Sequence, residues 1–383
     1  MPLPRIPGTL VVLAVLAAAS ALVGGCGHHA ARPPAGSSTA AATPTAAPCG
    51  DPTALPTRDK LAQLLMVGVK NAADARAVVA DYHVGGIFIG GWTDLSIFDG
   101  PLADIAGTAG PLPLAVGVDE EGGRVSRLKK LIGPSPSARE LGRTQTAQQV
   151  HDVALGRGKA MKKLGITVDF APVVDVSDAP DDTVIGDRSF SSNPQKVTDY
   201  AGAYADGLRE AGLLPVLKHF PGHGHGSGDS HNGGVTTPPL AELQGNDLVP
   251  YRSLTKAKPV AVMMGHLQVP GLTGDEPASL SPAAVRLLRI GAGYGADAFD
   301  GPIFSDDLSG MAAISDRFGV SEAVLRALQA GIDIALWVTT DEVPAVLDRL
   351  AKALSAGELK LPDVDDSLKR VAAMKGRSPK CGP

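Results

Sequence analysis

From residue 55 onward, short runs of branched and aliphatic residues alternate with longer stretches whose apolar positions recur at helical spacing. The first four runs are LLMVGV at 64–69, GGIFIG at 85–90, LPLAVGVD at 112–119 and ITVDFAP at 166–172. The next four are LLPVLKH at 213–219, VAVMMGH at 260–266, GPIFSDD at 301–307 and IDIALW at 332–337. Such runs suit parallel strands covered on both faces rather than the half-exposed strands of a sandwich. Between them, 145–163, 194–211, 240–257, 281–290, 315–329 and 342–355 read as helices. The stretch 194–211 carries the expected punctuation, with Asn193 as cap, Pro194 in the first turn and Gly212 at the stop. Residues 91–111 are too rich in glycine for a full helix, and 358–380 reads as a short amphipathic helix packed on the body. Eight βα units predict an α/β fold, a single (β/α)8 TIM-type barrel with a short tail spanning 49–383.

The chain ahead of this body has a different pattern. Arg5 is followed by an almost unbroken apolar run from Leu10 to Val23, then Gly24, Gly25 and Cys26, the layout of an export signal. The ending LVGGC resembles a bacterial lipoprotein box. That resemblance implies a signal peptide at 1–25, cleavage before Cys26, lipidation of its sulfur and anchoring on the extracytoplasmic face of the cell membrane, partial release remaining open. A plain secretion signal or an uncleaved anchor is the alternative. Residues 26–48 add a tether rich in Ala, Pro, Ser and Thr, which lacks the apolar periodicity needed to offset the entropy of ordering. Cys49 and Cys381 then flank the body and form a disulfide candidate in an exported protein, against the alternative of two free terminal thiols.

Charge narrows the possible partners. With 35 Lys plus Arg against 40 Asp plus Glu, a net charge of −5 and no basic tract interleaved with aromatics, a nucleic-acid binder is not expected. No obligate protein partner is implied either. Polar residues instead gather at the predicted C-terminal strand ends, where a barrel builds its active site: Asp119, Asp169, Lys218, His219, His266, Asp306 and Asp307. The densest stretch is LKHFPGHGHGSGDSHNGG at 217–234, too glycine-rich for a packed element and suited to presenting polar groups to a ligand. His219, His223, His225, Asp229 and His231 offer zinc-type donors, but they match no helical HExxH spacing and no thiolate cluster accompanies them. No metal or cofactor is assigned.

KHFPGHG followed by DSH, with VGVDEEGGRVSRL and IGDRSF before and around it and IFSDDLSGM after, resembles the family 3 glycoside hydrolases. The likeness is to their bacterial, cell-wall-recycling β-N-acetylhexosaminidase branch and runs over about residues 55–360. It implies a single barrel without the second sandwich domain of many relatives. It implies Asp306 as the nucleophile, His231 as the acid/base with Asp229 as its partner, and Asp119, Arg188, Lys218 and His219 as sugar-binding residues. Two departures stand out: Glu120 where the family often has Gln, and Gly310 interrupting the usual LSM.

Cleavage of a glycosidic bond with retention needs a carboxylate at the anomeric carbon and a proton donor for the leaving oxygen. Asp306 suits the first role, with Asp307 as competitor but better suited to capping the next turn. An imidazole, titrating near neutrality, can donate and retake one proton, and Asp229 is placed to orient it. Arg188, Lys218 and His219 read as donors to sugar hydroxyls, a structural pairing of Arg188 being the alternative. The expected function is a retaining exo-β-N-acetylglucosaminidase acting on terminal N-acetylglucosamine (GlcNAc) of peptidoglycan-derived muropeptides or related glycosides. A β-glucosidase-like hydrolase and a non-catalytic glycan-binding lipoprotein are the alternatives.

Overall fold

The computed structural model describes residues 51–110 and 112–376. The export signal, Cys26, the tether, Cys49 and Cys381 lie outside the described residues. All eight predicted strands are present: β1 (Leu65–Val69), β2 (Gly86–Ile89), β3 (Ala115–Val118), β4 (Val168–Asp169), β5 (Leu214–Phe220), β6 (Ala261–Met264), β7 (Ile303–Ser305) and β8 (Ala335–Trp337). They pair in parallel in the order β7-β6-β5-β4-β3-β2-β1-β8. The ring closes between β7 and the start of β8, where Phe304 bridges Ile334 and the Ser305 N–H donates to the Ile334 carbonyl at 3.0 Å. Most strands are shorter than their apolar runs, because the run ends turn inward or enter loops while staying buried.

At least one helix follows each strand, the principal ones being α1 (Ala72–Tyr82), α2 (Pro101–Gly107), α3 (Ala147–Lys163), α4 (Pro194–Glu210), α5 (Leu240–Gly245), α6 (Pro282–Ile290), α7 (Val320–Ala330) and α8 (Val343–Ser355). The cap of α4 forms as expected, with the Asn193 side chain accepting from the Lys196 N–H at 3.0 Å and Gly212 at φ +81° past the end. One expectation is corrected. The helix expected over 240–257 stops at Gly245 and resumes only as the turn Tyr251–Leu254, since Pro250 has no N–H to continue the ladder. Residues 91–111, the weakest unit in the sequence pattern, hold only the seven-residue α2, with Pro101 in its first turn.

The barrel interior is filled by alternating large and absent side chains. Phe170 meets Phe304 edge-on at 5.2 Å and Phe88 at 5.8 Å. Gly117 on β3 leaves the room this requires, because a Cβ there would come within 2.8 Å of the Phe170 ring. Burying each such ring is worth roughly 2–3 kcal/mol, so an alanine at 117 would act against the packing that fills the barrel.

The C-terminal helix α9 (Leu361–Lys375) is the amphipathic tail and covers the N-terminal mouth. Lys60 pairs with Asp365 at 2.7 Å, Arg370 with buried Asp333 at 3.0 Å, and Lys375 reaches the Gly85 carbonyl at 2.7 Å. With that mouth covered, the opposite end is left for a site. Among the described residues no helix is long and apolar enough to cross a membrane.

Candidate active site

The C-terminal ends of the strands enclose a cavity of about 210 Å³ lined by Asp119, Arg188, Lys218, His219, His231 and Asp306, among others. Six sequence-predicted site residues are therefore brought together, and Asp229 stands behind His231. Two charged layers build the cavity.

The first layer comes from β3, β5 and the loop after β4. Lys218, at the end of β5, donates to Asp119 and Glu121, each at 2.6 Å. Arg188 grips Glu121 with two parallel bonds of 2.8 and 2.9 Å. Arg188 thus has the structural pairing weighed above and still faces the cavity. Burial would raise the Glu121 pKa, but Arg188 and Lys218 outweigh it and hold the carboxylate far below its ordinary range. Burial would lower the Lys218 pKa, yet Asp119 and Glu121 keep it above its usual value. The ammonium stays charged, as a sugar-binding donor requires.

His219 is anchored by a carboxylate that sequence reasoning missed. Its Nδ1 lies 2.7 Å from Asp175 Oδ2, while Asp175 Oδ1 accepts the N–H groups of His219 at 3.2 Å and His223 at 2.7 Å. Burial would raise the Asp175 pKa, but the His219 charge and hydrogen bond and His223 bring it below the ordinary value. A charged Asp175 keeps a proton on Nδ1, and Nε2, the nitrogen turned to the cavity, stands 3.4 Å from an Arg188 nitrogen. Asp175 was missed altogether; its signal is a carboxylate embedded in the apolar stretch FAPVVDV.

The second layer holds the candidate reacting groups. Asp306, just past β7, is buried, and its Oδ1 accepts the Asp307 N–H at 2.9 Å. Burial alone would raise its pKa, yet His266, His219, that N–H bond and Lys218 keep it below normal, so the carboxylate is ionised. His266 braces this strand end, with Nε2 2.7 Å from the Asp307 carbonyl and Nδ1 2.7 Å from Ser279 Oγ. His231 sits on the glycine-rich loop after β5, its Nδ1 2.7 Å from Asp229 Oδ1, which leaves Nε2 for a ligand. The loop docks on the turn after β7: the Ala313 N–H donates to the Ser230 carbonyl at 3.1 Å. Ser230 Oγ also reaches Met311 Sδ at 3.6 Å.

Other strand-end residues serve the frame. Asp169 lies behind the cavity wall, accepting the Glu120 N–H at 3.0 Å, and burial pushes its pKa well up. His225 pairs with Asp247 at 3.0 Å and His231 with Asp229, whereas both ring nitrogens of buried His223 lack a partner among the described residues. Among the described residues no group of three or more His, Cys, Asp or Glu side chains could hold a metal ion. Arg127, overlooked within VGVDEEGGRVSRL, also lines the cavity, its buried Nε without a partner among the described residues.

Residues 56–374 match the model of the glycosyl hydrolase family 3 N-terminal domain. Beta-hexosaminidase LpqI of Mycobacterium tuberculosis is 70% identical over 383 residues, covering 97% of this chain and 98% of that protein. The chain belongs to glycosyl hydrolase family 3. The solved structure of M tuberculosis LpqI matches at a TM-score of 0.85 and 73% identity, covering 87% of this chain and 98% of that one. A family 3 beta-N-acetylglucosaminidase from Paenibacillus sp. FPU-7 matches at 0.78 and 32% identity, covering 84% of this chain and 62% of that one. The protein is thus a glycoside hydrolase allied in sequence to beta-hexosaminidases.

Within this family 3 chain, both departures noted above have a structural account. Glu120 is fully buried and accepts from Arg157, from Ser126 Oγ at 2.5 Å and from the Leu128 N–H at 2.7 Å, so its charge is matched behind the wall. Gly310 belongs to a turn capped by Asp307, which accepts the N–H groups of Ser309 at 2.8 Å and Gly310 at 2.9 Å. A Cβ at 310 would come within 2.6 Å of Asp307 Oδ2. Asp307 is thereby occupied, as expected of a cap, while Asp306 keeps one oxygen free.

Proposed function

We propose that this family 3 hydrolase is a retaining, exo-acting β-N-acetylglucosaminidase that removes terminal GlcNAc from peptidoglycan-derived muropeptides. One observation carries the reading: an ionised Asp306 with a free oxygen lines the same small cavity as the Asp229–His231 pair. Asp306 attacks the anomeric carbon as the bond to the leaving oxygen breaks, and that oxygen takes the proton from His231 Nε2. Water then attacks the same carbon, returns a proton to His231 and frees Asp306. Asp119, Arg188, Lys218 and His219 hold the sugar hydroxyls, with Lys218 and Arg188 as donors. The names of the relatives support a hexosaminide over a glucoside, and the ratio of kcat/KM for aryl GlcNAc and aryl glucose separates the two. Lipid on Cys26 would hold the body on the outer face of the membrane.

Asp306→Asn is expected to lower turnover of an aryl β-N-acetylglucosaminide by about three orders of magnitude or more. His231→Ala is expected to retain the first step with this good leaving group and to accumulate a covalent glycosyl-enzyme, seen by intact-protein mass spectrometry. Wild-type turnover by Asp306→Asn would remove the mechanism.

A further inference from the structure

The glycine-rich loop after β5 carries a second histidine–carboxylate pair ahead of Asp229 and His231, and the proposed mechanism has no use for it. His225 Nδ1 lies 3.0 and 3.2 Å from the two oxygens of Asp247, which stands in the segment after α5. Asp247 is only 2% exposed, and His225 is the side chain that pairs with its carboxylate. Burial pushes the Asp247 pKa up, a push that His225 offsets in part, and the hydrogen bond to Asp247 lifts the pKa of His225. Separating the pair would leave a buried acid without its partner, so it fastens the loop at this point.

Around this pair the chain is seated without slack. A Cβ on Gly222 would strike Asp247, one on Gly224 would strike the Val176 carbonyl, and one on Gly226 would come within 2.8 Å of Val235. Just beyond, Ser227 and Thr236 close a neck. The Ser227 N–H donates to the Thr236 carbonyl at 2.9 Å, and the Thr236 N–H donates to Ser227 Oγ at 3.0 Å. Thr236 is held in turn, because Val235 and Thr236 pair with Leu267 and Gln268. Past the neck the packing falls away: a Cβ on Gly228 or Gly233 would meet nothing within 4 Å, and His231 and Asn232 are exposed. The arm 228–234 therefore carries Asp229 and His231 between two attachments. One is the seat at its root, and the other is the contact of Ser230 with the turn after β7. A proton donor must stand within hydrogen-bond reach of the leaving oxygen, and a misplacement of about 1 Å can cost a hundredfold in rate.

We infer that His225 and Asp247 are positioning residues for proton transfer: their pair fixes the root of the arm and so sets where His231 Nε2 stands relative to the leaving oxygen. The inference deepens the proposed hydrolytic mechanism and rests on it for the role of His231. His225 lies outside the lining of the catalytic cavity, so it acts through the arm and not on the sugar.

The test compares kcat/KM for phenyl and dinitrophenyl β-N-acetylglucosaminides, which share the sugar and differ in how far the leaving oxygen needs a proton. For both, kcat/KM reports the first bond-breaking step. His225→Ala is expected to lower the phenyl-to-dinitrophenyl ratio by about three- to tenfold. His225→Asn, whose amide N–H can reach Asp247 from the place of Nδ1, is expected to restore most of that ratio. A purely structural role would lower both substrates alike. Because the pair acts through His231, adding His225→Ala to His231→Ala should leave the ratio where His231→Ala alone puts it. An unchanged ratio in His225→Ala, or a loss in His225→Asn as large as in His225→Ala, overturns the inference. If His225→Ala does not fold, Asp247→Asn, which keeps an acceptor for Nδ1, is read in the same way with a smaller expected fall, and an unchanged ratio there overturns the inference as well. His231→Ala separates the two levels of the reading. A wild-type ratio in His231→Ala removes the proposed acid role of His231 itself, whereas a ratio lowered by His231→Ala and untouched by His225→Ala removes this inference alone.

Discussion

Two enclosed lysines sit at opposite ends of the barrel, and their surroundings could hardly differ more. Lys218, at the cavity end, faces Asp119 and Glu121, each at 2.6 Å, and its pKa rises despite burial. Lys375, at the covered end, faces only the amide oxygen of Gln63 at 2.8 Å and the Gly85 carbonyl at 2.7 Å, and burial pushes it down to about 7. The first lysine belongs to a network in which every charge is matched, so its geometry is held while water is excluded. The second satisfies hydrogen bonds without matching charge. The contrast teaches that burial alone does not prepare a functional charge; matched counter-charges do.

Breaking the matched end should have the larger effect. Glu121→Gln removes the carboxylate shared by Lys218 and Arg188, leaving two buried cations with Asp119 as their remaining close acidic partner. It is expected to cost about 3–5 kcal/mol of stability by urea denaturation and to lower kcat/KM by roughly a hundredfold. The pH response tests the cause. Because the folded-state pKa of Glu121 lies below its ordinary 4.5, its contribution is complete above that value and is lost as pH falls toward the folded pKa. Wild type should therefore lose stability more steeply than Glu121→Gln below pH 4.5. Equal slopes would show that the network does not hold the carboxylate down.

Asp175→Asn strikes the same end less severely, since the amide oxygen can still accept from the His219 and His223 backbone. It removes the charge that fixes the His219 proton on Nδ1. The expected cost is about 1.5–3 kcal/mol of stability, with kcat/KM falling about tenfold, mostly through KM, and with a changed pH profile. A purely structural role would lower stability without moving that profile.

Much of this arrangement is legible in the sequence because barrel strands are buried on both faces, so branched runs such as AVMM at 261–264 mark them without ambiguity. The strand-end position then makes Asp306, Lys218 and His219 conspicuous. Asp175 escapes notice for a physical reason: it acts on a partner remote in sequence. Asp175 is 44 residues from His219, and no local periodicity reports a hydrogen bond across that interval. The same holds for the orientation of His219, which depends on where Asp175 and Arg188 converge. The broken helix after β5 shows the reverse case, in which Pro250 carries a local signal that outweighs the surrounding helical pattern.

The smallest effect is expected at the unmatched end, where the ionised form is penalised rather than favoured, although stability again rises with pH. A lysine whose folded pKa is about 7 against an ordinary 10.5 binds fewer protons folded than unfolded between those values. Its penalty is complete below pH 7 and is relieved as pH rises toward 10.5, so this group makes stability increase with pH across that window. The stem of Lys375 lies partly at the surface, and solvent screening reduces the effect to on the order of 1 kcal/mol. Lys375→Met should flatten the difference in urea midpoint between pH 6.5 and pH 9.5 while leaving the acid limb set by Glu121 in place. If the variant keeps the wild-type slope between those two pH values, the Lys375 ammonium is solvated, and the two ends of the barrel differ less than their geometry indicates.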